Sequence, residues 1–230
     1  MKRFALRLLA LLFAALLCYS AYRVWDISRD YSAEAEMHGL VMGYKPRSED
    51  AVNQSVTDLQ EKYPDVAGWL TVPNTNIDYP FVWYRDNDFY LRRDLSGADA
   101  TAGTLFMETR CKADFTSQNT IIYGHHMKNG SMFGTLKAFT DDNFFAANPR
   151  GTIYLPHETV TLEFFAYLVV NHTDREIYSV ELSESYLAYV KQTARQYRDV
   201  GLADGDRVVT LSTCSYEFNN ARMVLLAKVR

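Results

Sequence analysis

Cysteine is scarce, three in 230 residues, which excludes a fold built on disulfides. Glycine (11) and proline (6) are too few for low-complexity linkers, and no internal repeat occurs. There is no excess of positive charge: 24 Lys+Arg stand against 28 Asp+Glu, a formal charge of −4. That argues against nucleic acid as a partner, because domains that bind it carry a basic patch or a high pI. The five histidines form no HxxxH and the cysteines no CxxC, so no metal site is expected. The balance of 48% hydrophobic and 23% charged residues excludes a disordered tail, a collagen-like repeat and a multi-span membrane protein. What remains is material for one domain of ordinary size with a real core.

The one long apolar run lies at the start. Lys2, Arg3 and Arg7 precede an uncharged stretch from Leu8 to Ala21, and Arg23 and Asp26 follow it. Phe4 to Tyr22 makes 19 residues interrupted only by Arg7, near the edge, where a long cation can snorkel. That is the short end of a membrane span and the long end of a signal-peptide core. Bulky Tyr19 and Tyr22 leave no clean Ala-x-Ala site, which favours an uncleaved anchor over a cleaved signal. Leu17 before Cys18 speaks against a lipidated cysteine. The basic end is expected to stay in the cytoplasm and the rest to face outward. Residues 1–25 hold four basic and no acidic residues. The remainder therefore carries 20 basic against 28 acidic, net −8.

Three regions are expected: a cytoplasmic tip and transmembrane anchor (1–25), a helical stalk loosening near Gly39 (26–48) and a catalytic domain (49–230). Val52, Val56 and Leu59 lie at helical spacing within 49–62, and Tyr63-Pro64 should end that helix. From there to about Val170 the pattern changes to short β-branched and aromatic runs. They cover Gly68–Val72, Tyr79–Trp83, Thr104–Met107, Thr120–Tyr123, Thr152–Leu155 and Thr159–Val170. Such spacing predicts a barrel or sandwich. A helix over 183–198, with Tyr186, Leu187, Val190, Ala194 and Tyr197 as its stripe, precedes two strong strands, Arg207–Thr213 and Arg222–Val229.

Four chemically capable residues fall at three element boundaries. Cys214 ends the apolar run VVTLST, where a thiol can be exposed on a rigid backbone; alone, a free cysteine more often serves as a small buried hydrophobe. His125 and His126 follow IIYG, at the exit of a strand. Arg222 opens the last strand, eight residues after Cys214. A guanidinium there can favour a thiolate or bind an oxyanion, or simply face solvent.

The stretch Thr210–Arg222, TLSTCSYEFNNAR, strongly resembles the signature of sortases, the membrane-anchored cysteine transpeptidases of Gram-positive bacteria. YGHHM at 123–127 resembles their histidine motif. NDFYLxRD (87–94), GTLFM (103–107) and SMFGTL (131–136) resemble class B members, as do the helix before WLTVPNTNIDYPFV and the late inserted helix. The resemblance covers roughly residues 50–230.

It implies a mainly β fold with accessory helices. A closed sortase barrel of about eight strands is expected, with N-terminal helices and a helix inserted before the penultimate strand. By motif position it makes Cys214 the nucleophile, His125 the catalytic histidine and Arg222 the essential arginine. His126 takes a variable position. Ser212, Leu91, Thr173, Ile177 and Tyr178 are expected to line the substrate groove. Cys111 departs from the pattern and is expected to be free and incidental. No metal or organic cofactor is implied. The implied partners are secreted proteins bearing a C-terminal sorting motif, a peptidoglycan amine as acceptor, and the membrane through the N-terminal anchor. The rivals are a pilin-polymerising sortase and a non-catalytic wall-binding module. A papain-like hydrolase fits less well, since its cysteine precedes its histidine and opens a helix.

Overall fold

The computed structural model describes residues 2–46 and 53–230. Residues 49–52 of the expected 49–62 helix lie outside them. The chain divides into two units, Met1–Leu40 and Val41–Arg230. The first holds all but the last two residues of helix α1, Lys2–Met42, whose apolar side chains from Phe4 to Trp25 are exposed. It is long and apolar enough to cross a membrane. The loosening expected at Gly39 does not occur. An isolated glycine costs a helix only about 1 kcal/mol, which a long run of good helix formers carries easily. The helix ends instead at Gly43-Tyr44, where Tyr44 N–H donates to the Val41 carbonyl.

The second unit opens with α2, Gln54–Lys62, which buries Val56 and Leu59. Asn53 docks its start: the side-chain amide donates to the Leu155 carbonyl at 2.7 Å and to the Glu158 carbonyl at 3.1 Å. Nine strands follow: β1 Val66–Thr71, β2 Asp78–Val82, β3 Leu105–Met107, β4 Asn119–Tyr123, β5 Arg150–Tyr154, β6 Thr159–Asn171, β7 Gln196–Tyr197, β8 Val208–Cys214 and β9 Ala221–Val229. Helix α3, Asp142–Ala147, precedes β5, and α4, Tyr186–Thr193, precedes β7.

Eight of the strands close on themselves in the order β5-β1-β2-β3-β4-β8-β9-β6, with β6 pairing back to β5. The pairings β2–β3 and β4–β8 are parallel and the others antiparallel. The sortase-type barrel expected from the sequence is thus the observed fold, with β7 as a short addition at the edge of β6.

Alternation along the strands produces two cores. Phe81, Ile121, Phe133, Phe164, Leu211 and Leu225 fill the barrel. Phe165, Leu168, Val208, Val224 and Leu226 point the other way and are covered by α4 through Tyr186 and Val190. Each such side chain contributes about 1.5–3 kcal/mol by leaving water.

The late helix is shorter than its apolar stripe suggested. Ala194 turns extended and Gln196–Tyr197 joins β6 as β7. Tyr197, read as the last member of the helical stripe, instead pairs with Ala166. The free edge of β6 accepts Arg195 N–H at the Tyr167 carbonyl and Arg198 N–H at the Phe165 carbonyl. Tertiary pairing there overrides the local period. The helix consequently precedes the last three strands rather than the last two.

Candidate active site

The parallel register of β4 and β8 sets Tyr123 beside Ser212, so both strands leave the barrel at one rim. Gly124 N–H extends the ladder to the Ser212 carbonyl at 3.1 Å. A Cβ on Gly124 would stand 2.4 Å from Leu105 Cδ2 and 2.9 Å from Phe133 Cδ2, so only glycine lets the strand exit here. The next two residues are His125 and His126. On the far side of β8, antiparallel pairing sets Cys214 opposite Arg222. Residues opposed in this way have Cβ atoms about 5 Å apart and share a face. One rim therefore gathers the two histidines, the thiol and the guanidinium.

Cys214 is half-buried and free. Its backbone is fixed on both sides. Ser215 N–H donates to the Ala221 carbonyl at 2.9 Å, closing the loop between β8 and β9. His126 Nδ1–H donates to the Cys214 carbonyl at 2.9 Å, and its ring lies 5.5 Å from that of Tyr216. His125 makes a different contact: Nε2–H donates to the Leu91 carbonyl at 2.6 Å. The His125 carbonyl accepts from Phe133 N–H at 3.0 Å, which holds the histidine loop from beneath. Arg222 donates from Nη1 to the Ala221 carbonyl at 3.1 Å and leaves its remaining donors available.

The groove residues separate into two sets. Ser212 is buried, and its hydroxyl shares a 2.8 Å hydrogen bond with the Tyr178 hydroxyl. Burial pushes the Tyr178 phenol up to about 12; the Ser212 bond and the Arg222 charge oppose that and the Cys214 charge adds to it. The Tyr178 hydroxyl therefore lies within electrostatic reach of both candidate catalytic groups. Leu91 is 37% exposed beside His125. Thr173 is exposed at the end of β6, its hydroxyl donating to Asn171 Oδ1. Ile177 is fully buried in the core beneath α4. Its side chain faces that core, not a groove, and its carbonyl is taken by the Asn119 amide at 3.1 Å. Tyr178, next along the same turn, is only partly buried and brings its hydroxyl to Ser212, a distinction that motif position does not carry.

A buried carboxylate behind the rim escaped sequence reasoning. Glu108, 4% exposed, accepts from Asn87 Nδ2 at 3.0 Å, Arg110 Nε at 3.0 Å and the Tyr123 hydroxyl at 3.1 Å. Burial pushes its carboxyl up, but the Arg110 and Asn87 bonds outweigh that and hold it below the usual range. Tyr123 stacks on Tyr178 with ring centroids 6.3 Å apart, and Arg110 Nη2 donates to the Tyr178 carbonyl at 3.1 Å. The available signal was an acid immediately after the apolar run LFM, two residues before an arginine.

Cys111 is free and buried against β4, its Sγ 3.4 Å from the Asn119 carbonyl, and burial pushes its thiol up. Such a thiol is a poor nucleophile. Among the described residues no three His, Cys, Asp or Glu side chains converge as metal ligands.

Comparison with known proteins gives the family and the fold. A family model described as a sortase domain matches residues 70–230. Sortase B of Listeria monocytogenes is 37% identical over 187 residues, spanning 77% of this chain and 75% of that protein. The crystal structure of Bacillus anthracis sortase B in complex with AAEK1 superposes with a TM-score of 0.76 at 30% identity, covering 87% of this chain and 98% of that one. Sortase B from the type II pilus of Streptococcus pneumoniae gives 0.64 at 38% identity, covering 75% and 97%.

Proposed function

We propose, from the premise that this chain belongs to the sortase family and within it to class B, that its acyl transfer is carried out by Cys214, His125 and Arg222. The chain is a cysteine transpeptidase acting on sorting-motif substrates. The observation that carries the residue assignment is the pairing of Cys214 with Arg222 at the rim where β4 delivers the histidines.

The chemistry runs in two halves. His125 removes the Cys214 proton, and the thiolate attacks the carbonyl carbon of the scissile peptide bond. The carbonyl electrons move to oxygen, where an Arg222 N–H donates; a donor of this kind is typically worth about 10²–10³ in rate. As the oxyanion collapses, the C–N bond breaks and the leaving amine takes the proton held by His125. A thioester on Cys214 remains. An incoming amine attacks it, its proton passes through His125 to the departing thiolate, and a new amide forms.

Ser212, Tyr178, Leu91 and Thr173 line the groove in this reading. The acceptor is a peptidoglycan amine at the outer membrane face. Helix α1 spans the bilayer once with its Lys2-Arg3 end in the cytoplasm, as charge bias favours. Residues 1–25 then form the tip and anchor, 26–48 the stalk and 49–230 the catalytic domain. The 38% identity to a pilus-associated sortase B supports a second reading, in which a pilin amine is the acceptor.

The test uses the full chain in detergent micelles, quenched sorting-motif peptides and intact-mass spectrometry. Cleavage with an acyl adduct on Cys214, lost in Cys214→Ala at unchanged fold, is expected. Transpeptidation retained in Cys214→Ala would overturn the assignment. Adding either a wall-type amine or a pilin lysine peptide separates the two acceptor readings.

A further inference from the structure

The carbonyl that meets His125 has lone pairs and no hydrogen. A contact of 2.6 Å from Nε2 to the Leu91 oxygen therefore requires the proton on Nε2. In the neutral ring Nδ1 is then the basic nitrogen. His126 is held the other way, with its proton on Nδ1 facing the Cys214 carbonyl. Two adjacent imidazoles are thus held in opposite tautomers by two backbone oxygens.

The Leu91 oxygen is rigidly placed. It belongs to a 3-10 turn, Phe89–Arg92. Asp86 Oδ1 caps that turn, accepting from Asp88 N–H at 3.0 Å and Phe89 N–H at 2.7 Å. The Tyr90 hydroxyl donates to Asp65 at 2.7 Å. From the other side Thr104 N–H donates to the Tyr90 carbonyl at 3.0 Å, and the Thr104 hydroxyl to the Arg93 carbonyl at 2.9 Å. Gly103 packs directly against this turn. A Cβ there would lie 2.5 Å from the Leu91 oxygen, 2.7 Å from the Tyr90 oxygen and 2.9 Å from the Leu91 carbonyl carbon. All three are backbone atoms, which cannot swing aside as a flexible side chain would. The φ of +59° at Gly103 independently favours glycine.

We infer that Gly103 is a positioning residue for His125: by lacking a Cβ it lets the Leu91 carbonyl stand where it fixes the Nε2–H tautomer. The inference rests on the reading of His125 as the acid–base group. With the proton on Nε2, Nδ1 has a lone pair to accept the Cys214 proton and later return it to the leaving amine. In the opposite tautomer Nδ1 would carry the hydrogen, leaving it no lone pair to accept the Cys214 proton, and Nε2 would have no N–H to give the Leu91 carbonyl.

The test has two readouts on the full chain. The first is ¹⁵N NMR of histidine-labelled protein at a pH where the rings are neutral, with His125→Gln identifying the signals. His125 is expected to be protonated at Nε2 and His126 at Nδ1. A tautomer mixture at His125, or the reverse assignment, would overturn the inference without reference to activity. The second is Gly103→Ala beside Gly103→Asn. Asparagine tolerates the left-handed backbone better than alanine while keeping the same Cβ, so the pair separates the effect of the added Cβ from that of backbone strain. Both are expected to lose the His125 tautomer preference, to lower kcat about 10²-fold, the scale of an ångström-sized misplacement of a catalytic group, and to leave KM within about twofold. The His126 signal should not move. A folded Gly103 variant with wild-type tautomer and kcat would overturn the role of Gly103. Absence of peptide transfer by the wild-type chain would sink the proposed function while the NMR result still stood on its own.

Discussion

Replacing Glu108 by glutamine tests whether the buried carboxylate behind the rim supports both fold and groove. The change keeps the shape but leaves one acceptor oxygen where a carboxylate has two. The new NH₂ must face a donor: Tyr123 on one side, or Asn87 and Arg110 on the other. Hydrogen bonds to a charged group are worth about 1.5–3 kcal/mol, and breaking a buried pair by removing one partner costs about 3–5 kcal/mol. Here the Arg110 side chain is 58% exposed, so water solvates the charge left behind and the lower end applies. A loss of about 2–3 kcal/mol is expected, lowering Tm by about 5–10 °C for a domain of this size. Urea unfolding at neutral pH, followed by tryptophan fluorescence, measures it.

The pH dependence fixes the cause. The Glu108 carboxyl titrates lower in the folded chain than its ordinary 4.5. A depressed folded value means the stabilisation is fully present above the unfolded pKa and fades as pH falls through the folded one. The gap between wild type and Glu108→Gln should therefore be widest above about pH 4.5 and narrow below it. A loss under about 0.5 kcal/mol, or a gap that stays constant into acid, would refute the reasoning. The kinetic consequence follows from Tyr178. Its ring rests on Tyr123 and its carbonyl on Arg110, both tied to Glu108. The variant should raise KM for a sorting peptide more than it lowers kcat.

His125→Ala should cost far more in kcat than His126→Ala, which only unties the Cys214 carbonyl; steady-state transfer kinetics on the two variants decide, and the reverse order would exchange their roles. Arg222→Lys should be severely impaired, because an ammonium does not reproduce the guanidinium fork; near-wild-type acyl-enzyme formation by mass spectrometry would reduce Arg222 to a generic charge.

Most of the barrel was legible because its strands are short apolar runs punctuated by turn residues. Thr120–Tyr123 and Arg207–Thr213 end within a residue or two of the observed strands. The late helix was misjudged at its end because Tyr197 fits a helical stripe as well as it fits β7, and only the open edge of β6 decides between them. Gly39 misled in the opposite direction: a glycine lowers helix propensity locally, but α1 is long enough to run through it. Motif position puts Ile177 at the groove whereas burial puts its side chain in the core, because motif position fixes where a residue falls in the chain, not which way it points.

The candidate site was legible for a different reason from the parts that hold it. Cys214, His125 and Arg222 are side chains whose chemistry is printed in their identity. The groups that hold His125 and Arg222 are backbone oxygens, at Leu91 and Ala221, and a carbonyl has no letter in a sequence. What makes such a carbonyl available is the shape of its neighbours. The 3-10 turn at Phe89–Arg92, the missing Cβ at Gly103 and the missing Cβ at Gly124 each permit a close approach that a larger residue would block. The three-residue strand β3 begins two positions after Gly103 and ends one before Glu108. A single short segment thus supplies both the glycine beneath the Leu91 oxygen and the carboxylate behind Tyr123. Displacing it would disturb the histidine and the groove wall together, whereas Gly103→Asn and Glu108→Gln disturb them separately. If the segment acts as one rigid strut, the double variant should lose less than the sum of the two single losses; independent supports would add within about 0.3–0.5 kcal/mol.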